Sequence, residues 1–163
     1  MSWTKWYNAR AINEYEQEEI AFTGLKNSSR SVTSITPVSG VSLSTGNLVT
    51  KESNALLYQD FNLPSVSNIT ALELEVTVSR LARIQDKQIQ LYFNGLIGSD
   101  QSNLFAPDLH VYGRSESDWN ITFDEYDFTD PEFGVVLDYQ PHTQYPSSNL
   151  VYLRRVRVRL QYN

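Results

Sequence analysis

The sequence predicts an all-β fold: an antiparallel β-sandwich of about eight strands, jelly-roll-like, with a short N-terminal arm or helix. Two observations support this prediction. Short runs rich in Val, Ile, Leu and Tyr alternate with clusters of Ser, Thr, Asn, Gly and Pro, which is the spacing of a sandwich or barrel. Helix-like composition is confined to AINEYEQEEI, whose apolar positions mark a helical face poorly.

The clearest strand is ALELEVTVSR. Every second residue from Leu72 to Val78 is apolar and the residues between are Glu or Thr, which is the two-residue period of a half-buried strand. Asn94-Gly95 stands between apolar runs and predicts a hairpin with a two-residue type I′ turn, because both turn residues need positive φ. The remaining predicted strands are a hairpin near Gly46 in VSLSTGNLVT, then ALLYQDFNLP, DLHVYG, FGVVLDY and the C-terminal run.

The chain has no repeat of fixed period and no low-complexity linker, and 163 residues fit one domain. We therefore divide it into an N-terminal segment, residues 1–30, and a single β-sandwich domain, residues 31–163. The N-terminal segment is expected to be an arm or short helix that packs on a neighbouring subunit or on the sheet.

Composition excludes several classes of function. The chain has no cysteine, which rules out thiol catalysis and zinc–thiolate sites. Its net charge of −6 disfavours nucleic-acid binding, because the phosphate backbone repels an acidic chain unless the basic residues are segregated. No apolar run approaches the ~20 residues of a membrane-spanning helix, so no membrane association is expected.

The C-terminal strand carries a row of arginines. One face holds Val156, Val158, Leu160 and Tyr162, and the other holds Arg155, Arg157, Arg159 and Gln161. Arg154 breaks the alternation, which predicts a bulge or a strand start there. If this strand neighbours ALELEVTVSR, Glu73 and Glu75 would form cross-strand pairs with the arginines. Two interpretations stay open, a solvated charged face and a protein–protein interface.

No catalytic pattern occurs in the sequence: G-x-S-x-G, H-E-x-x-H and the P-loop are all absent. We therefore expect no enzymatic activity and no cofactor. The acidic stretch DWNITFDEYDFTDPEFG offers Asp124, Asp127 and Asp130 as Ca²⁺ ligands, but it lacks the D-x-[DN]-x-[DN]-G spacing. The simpler alternative is a solvated loop in which Thr129 or Asp130 caps a helical turn opened by Pro131.

Aromatic residues suggest two further surfaces. Trp3, Trp6 and Tyr7 lie close together and would either anchor in a partner's pocket or pack on their own subunit. Trp119 is expected to pack over a sheet end. A glycan-binding face would need exposed aromatics and amides, and the candidates for it are Tyr112, His142 and Tyr145.

Three stretches together resemble a β-sandwich domain of tailed-phage and prophage virion proteins: ITALELEVTVSRLARIQDKQIQLYFNGLIGSD, VYGRSESDWNITFDEYDFTDPEFGVVLDY and VYLRRVRVRLQYN. The matching residues are Leu74 to Arg80, Ile84 to Asp86, Tyr112-Gly113, Trp119, Phe133-Gly134-Val135 and Val156 to Tyr162. The resemblance is strongest over residues 55–163, and its motifs are architectural rather than catalytic. Two departures are the more acidic loop 124–132 and the insertion-like PHTQYPSSNL.

The resemblance implies a non-enzymatic structural protein of the virion, assembled in the host cytoplasm. A short chain of this kind would be an add-on subunit, either a head decoration or cement protein or a tail, neck or baseplate attachment subunit. Its partners would be the major capsid protein or tail and baseplate proteins, with homo-oligomerisation expected. The partner-binding candidates are Trp3, Trp6, Tyr7, Arg155, Arg157 and Arg159. The alternative is a carbohydrate- or receptor-binding adhesion module of the virion.

Overall fold

The computed structural model describes residues 1–15, 43–44, 55–81, 84–141 and 150–163. These residues are mostly β-strand, with one four-residue helix and one 3-10 turn. The strands are β1 (Ser2–Trp3), β2 (Tyr7–Asn8), β3 (Ala11–Tyr15), β4 (Leu43–Ser44), β5 (Ala55–Gln59), β6 (Ile69–Leu81), β7 (Ile84–Tyr92), β8 (Leu96–Ile97), β9 (Leu109–Tyr112), β10 (Gly134–Pro141) and β11 (Leu150–Tyr162), with helix α1 (Glu116–Trp119) and the 3-10 turn (Phe123–Glu125) between β9 and β10.

The strands form two antiparallel sheets that pack face to face. The larger sheet has the order β1-β11-β6-β9, with β2 and β4 also pairing with β11, and the smaller has the order β3-β5-β10-β7-β8. The pairings β7·β8, β6·β9, β5·β10 and β4·β11 are nested inside one another. A long hairpin rolled up so that β6 meets β11 and β7 meets β10 gives this pattern, which is that of an eight-stranded jelly roll. The predicted fold class is confirmed.

The core lies between the sheets and follows the predicted alternation. In β6 the four apolar residues from Leu72 to Val78 are at most 3% exposed and point into the sandwich. Central strand β10 is buried on both faces, so it reads as a continuous apolar run rather than an alternating one. The largest fully buried side chains are Trp119, Tyr139, Phe123, Phe133, Leu56, Leu72, Leu74, Ile89 and Leu91.

Several local predictions can be compared with the structure. The register of β11 against β6 shifts between Leu153 and Arg155, so of the two alternatives predicted at Arg154, a bulge or a strand start, the structure has the bulge. The β7–β8 hairpin is present, but the prediction of a two-residue turn is wrong. Tyr92 pairs with Leu96, so three residues form the connection. Asn94 alone takes the left-handed conformation (φ 54°), while Gly95 has φ 130°, outside a type I′ turn. The predicted turn near Gly46 lies outside the described residues.

The N-terminal segment is extended where the structure describes it. Residues 11–15, at the start of the helix-like stretch AINEYEQEEI, form β3 and pair with β5 in the smaller sheet. Residues 2–3 and 7–8 pair with β11 in the larger sheet. Residues 1–15 therefore run along one side of the sandwich and contribute strands to both sheets.

Trp119 closes one corner of the sandwich. It is 0% exposed, as the prediction of packing over a sheet end requires, and its indole N–H donates to the Leu72 carbonyl (2.9 Å). Helix α1 holds the ring in place through a capping box, in which Ser115 and Asp118 bond each other's backbone N–H. Gly113, with φ +65°, passes directly beneath the indole, where an added Cβ would lie 2.1 Å from the ring.

Tyr58 places a hydroxyl in the core that bonds to none of the described residues, and burial raises the pKa of its phenol above the usual value. We expect Tyr58→Phe to leave the free energy of unfolding unchanged or raise it by about 1 kcal/mol, because it removes an unsatisfied buried group. The raised pKa means that the unfolded state loses the phenol proton first. Stability is therefore fully present below pH ~10 and falls as the pH rises beyond it. Denaturant unfolding from pH 8 to 11 measures both effects; a clear loss of stability in the variant at pH 8 would show that the hydroxyl is bonded.

Candidate interaction surface

The outer face of the larger sheet carries a ladder of ion pairs between β6 and β11. The two strands are neighbours, which was the condition for the predicted cross-strand pairs, and the register places Glu75 opposite Arg157 and Glu73 opposite Arg159. Arg157 Nε donates to Glu75 Oε1 (2.7 Å), and Arg155 reaches the same oxygen at 3.4 Å. Arg159 Nε donates to Glu73 Oε1 (2.9 Å), and Arg159 Nη2 forms a salt bridge with the same oxygen (2.7 Å). The two carboxylates thereby compensate two of the three positive charges.

This face is less solvated than predicted. Glu73 and Glu75 are only 7% and 6% exposed, so the interpretation of a solvated charged face is wrong for these two carboxylates. The arginine side chains retain between 22% and 34% of their exposure. Charges this far removed from water need their partners, because a single unpaired carboxylate would keep its desolvation cost without the compensating attraction.

The cover over the ladder is the N-terminal segment of the same chain. The Arg159 guanidinium lies 4.2 Å from the ring centre of Trp3 and 4.5 Å from that of Trp6, and Arg157 lies 4.8 Å from Trp6. Both indoles are half-buried. Cation–π contacts of this kind contribute ~0.5–2 kcal/mol each, more where water is excluded. The sequence left open whether these aromatic residues anchor in a partner's pocket or pack on their own subunit. In the structure Trp3 and Trp6 pack on their own subunit.

Backbone hydrogen bonds fix the segment in register. Thr4 N–H donates to the Leu160 carbonyl (2.8 Å), Leu160 N–H donates to Thr4 Oγ1 (3.0 Å), and Ala9 N–H donates to the Val156 carbonyl (3.1 Å). Tyr7 pairs with Val158 in β2 and packs against the core. The partner-binding candidates Trp3, Trp6, Tyr7, Arg155, Arg157 and Arg159 thus gather on one strand and the segment that covers it, and their contact with a partner stays a prediction.

A second surface lies at the opposite edge of the larger sheet and was not predicted from the sequence. Leu104, Phe105 and Leu109 are 51%, 81% and 51% exposed, and the large exposed hydrophobic residues of the described ranges are these three and Met1. A groove of about 480 Å³ runs between residues 101–105 and strand β9. The stretch LFAPDL has three large apolar residues around a Pro, which is a signal for this surface, but the sequence alone does not say which loop residues point outward.

The glycan-binding candidates do not form a face. Tyr112 is 3% exposed and its hydroxyl donates to the buried Asp86 carboxylate (2.6 Å), so the expectation that its ring is available on the surface is wrong. Its neighbour His110 is half-buried and packs edge-on against the Tyr112 ring (4.6 Å between centroids). His142 and Tyr145 lie outside the described residues.

A polar cleft of about 430 Å³ is the feature nearest in character to a sugar site. It lies beside helix α1, and its lining includes Glu116, Asn120, Glu125 and Tyr126. Glu116 Oε2 accepts from the Phe123 N–H (2.5 Å), which fixes the orientation of that carboxylate. Acceptors, an amide and an aromatic ring in one cleft are groups that recognise polyols.

The acidic stretch uses its carboxylates in local turns. Asp127 Oδ1 accepts from Thr129 N–H (3.0 Å) and from its hydroxyl (2.5 Å). Asp130 Oδ1 accepts from Glu132 N–H (2.9 Å) and its carbonyl from Phe133 N–H, so Asp130 caps a Pro131-containing turn as the simpler alternative supposed, although that turn is not helical. Asp124 is exposed on the 3-10 turn. Across the described ranges, no three His, Asp or Glu side chains converge as ligands of a metal ion.

Two further findings concern the whole described chain. None of its helices is long and apolar enough to cross a membrane. Comparison with family models, with curated proteins and with solved structures found no match to this chain.

Proposed function

We propose that this chain is a non-enzymatic structural protein of a tailed-phage virion, an add-on subunit that docks on the preassembled particle. It would sit on the head as a decoration or cement protein, or on the tail, neck or baseplate as an attachment subunit. The observation that carries the proposal is the eight-stranded jelly roll, an architecture found in viral capsid domains as well as in lectins.

The sequence resemblance supports the same proposal through residues that organise this fold. Gly113 and Trp119 form the packed corner beneath α1, and Phe133-Gly134 leads into β10, with Phe133 in the core. A Cβ at Gly134 would lie 2.5 Å from the Tyr58 carbonyl, so that position needs glycine for close strand packing. Because these motifs specify architecture, the resemblance extends to the sandwich as a whole and to no catalytic site.

The surface best suited to docking is the ladder with its aromatic cover. Trp3 and Trp6 are half-buried and already packed on arginines, and Trp and Arg dominate the energetic centres of protein interfaces. Little side-chain freedom remains to be lost when a partner covers them, which lowers the entropic cost of binding.

Cryo-EM of particles purified from a host that produces this chain tests the proposal. We expect density for the jelly roll on the capsid lattice or on the tail, with the outer face of the larger sheet toward a neighbouring protein. The matched sample is particles assembled without the chain, to which purified protein is added afterwards; an add-on subunit restores the density. Absence of the chain from purified particles by mass spectrometry would refute the proposal.

An adhesion module of the virion is the second candidate, and the polar cleft beside α1 is the observation in its favour. In that case the same map would show the sandwich at a distal tip with Glu125 and Tyr126 facing solvent. Purified protein would then bind a glycan array, and Glu125→Ala would weaken this binding without unfolding the chain, since Glu125 is exposed.

A further inference from the structure

Strand β9 is an open edge of the larger sheet. On its inner side it pairs with β6 from Leu109 opposite Thr77 to Tyr112 opposite Leu74. In the described parts of the chain no strand pairs with its other side. The far edge of the same sheet is covered, because β1, β2 and β4 all lie along β11.

The backbone of β9 presents hydrogen-bonding groups outward. Val78 N–H donates to the Asp108 carbonyl (2.7 Å) and Leu72 N–H donates to the Arg114 carbonyl (2.8 Å). Because bonding direction alternates along an antiparallel strand, the N–H and C=O of Leu109 and Val111 point away from β6. No described residue bonds to these four groups.

Side chains around this edge favour association. β9 is short, which limits pairing at an edge, but LHVY contains no Pro, Lys or bulge that would block it. Leu104, Phe105 and Leu109 expose apolar surface beside it, and the groove of about 480 Å³ leaves room along the strand.

We propose that two copies of this chain pair through β9, antiparallel about a two-fold axis at Val111, to join their larger sheets into one. The charges at the ends of the strand favour a second copy as the occupant. Asp108 and Arg114 are both exposed and lie three residues before and after Val111. A two-fold axis at Val111 brings the start of one β9 to the end of the other, so each Asp108 meets an Arg114 of the second copy.

Such an interface is isologous, and both copies contribute the same apolar residues to it. Four residues of strand are a small interface by themselves, so loop 101–107 with Leu104 and Phe105 supplies the remaining contact. The pairing leaves the ion-pair ladder unused and touches the aromatic cover only through Arg114, whose guanidinium lies 5.5 Å from the ring centre of Trp3. It does not depend on the virion proposal.

Sedimentation of the purified chain over a range of concentrations tests the proposal. We expect a reversible dimer that Val111→Pro converts to a monomer, because proline removes the outward N–H and leaves the bonds to β6 intact. Val111→Thr keeps that N–H and a similar shape, and it is expected to remain dimeric. A wild-type chain that is monomeric at its highest soluble concentration, or an unchanged dimer in folded Val111→Pro, would overturn the proposal.

Cross-linking tests the register without a proline. The chain has no cysteine, so Val111→Cys introduces one thiol per copy. In the proposed pairing the two residues at position 111 have Cα atoms about 5.5 Å apart, within the range for a disulfide. In Leu109→Cys the thiols lie about 13 Å apart along the strands. We expect mild oxidation to cross-link Val111→Cys much faster than Leu109→Cys; equal rates would rule out this register.

Discussion

Gly113→Ala is expected to lower the free energy of unfolding by about 2–5 kcal/mol. A Cβ at this position would lie 2.1–2.4 Å from three atoms of the Trp119 indole, which is itself fully buried. The ring cannot move aside freely, because its N–H is bonded to the Leu72 carbonyl and the capping box fixes the helix that carries it. The backbone conformation adds strain, since φ of +65° disfavours any side chain.

Gly95→Ala is a control that has backbone strain without an overlap. Gly95 also has a positive φ, yet nothing lies within 4 Å of its added Cβ. Gly95 has φ +130°, outside the left-handed region that alanine can enter, so Gly95→Ala carries at least as much backbone strain as Gly113→Ala. Any excess destabilisation of Gly113→Ala, measured by denaturant unfolding, is therefore a lower limit on the cost of the overlap with Trp119. A loss of less than about 1 kcal/mol in Gly113→Ala would mean that the indole does not pack on Gly113 as described.

Arg159→Met is expected to destabilise the fold by about 2–3 kcal/mol, somewhat below the cost of breaking a fully buried ion pair. Methionine keeps the apolar stem of Arg159 but not its guanidinium, so the variant loses the charge that Glu73 requires and also the cation–π contacts with Trp3 and Trp6. Glu73 is 7% exposed, and the described structure offers its carboxylate no other cation within salt-bridge distance. The Arg159 side chain is 30% exposed, so we expect a smaller loss of stability than for breaking a fully buried ion pair.

A double replacement separates the pair energy from packing. Glu73→Gln combined with Arg159→Met removes both charges, and we expect its stability to exceed that of Arg159→Met alone. Arg10→Met breaks the more exposed pair between Arg10 and Asp60, whose side chains are 40% and 33% exposed, and should cost at most about 1 kcal/mol. Thermal or urea unfolding of the wild type, the two single variants and the double variant measures these differences. A double variant less stable than Arg159→Met would contradict the claim that Glu73 requires a cationic partner.

The strands that alternate strictly could be predicted from the sequence, together with one long-range pairing. Glu73 and Glu75 on one strand and three arginines on the other have complementary charge at the same two-residue period, and that complementarity places the strands side by side. The break at Arg154 likewise marks the bulge. The alternation of apolar and charged residues can be recognised in the sequence because both strands are long.

The N-terminal cover and the orientation of β9 could not be predicted in this way. β1 and β2 have two residues each, too few for any period, so nothing in MSWTKWYN shows which strand they join. In β9 the two-residue period groups Leu109 with Val111 and His110 with Tyr112, so periodicity alone would turn the two aliphatic side chains inward. In the structure Tyr112 is buried and Leu109 is exposed. The positions of the candidate surfaces thus depend on pairings between distant strands, which only the structure shows.

The nested strand pairing also bears on how the chain folds. β7 and β8 are joined by three residues, whereas β1 must find β11 across almost the whole sequence, with Ser2 opposite Tyr162. Each outer pair closes a larger loop than the pair inside it, and loop closure costs entropy before any contact is gained. Assembly therefore favours zipping outward from the β7–β8 hairpin, with the slow kinetics of a topology dominated by distant contacts. The aromatic cover on the ladder is then among the last parts to form, since its strand partner lies at the opposite end of the chain.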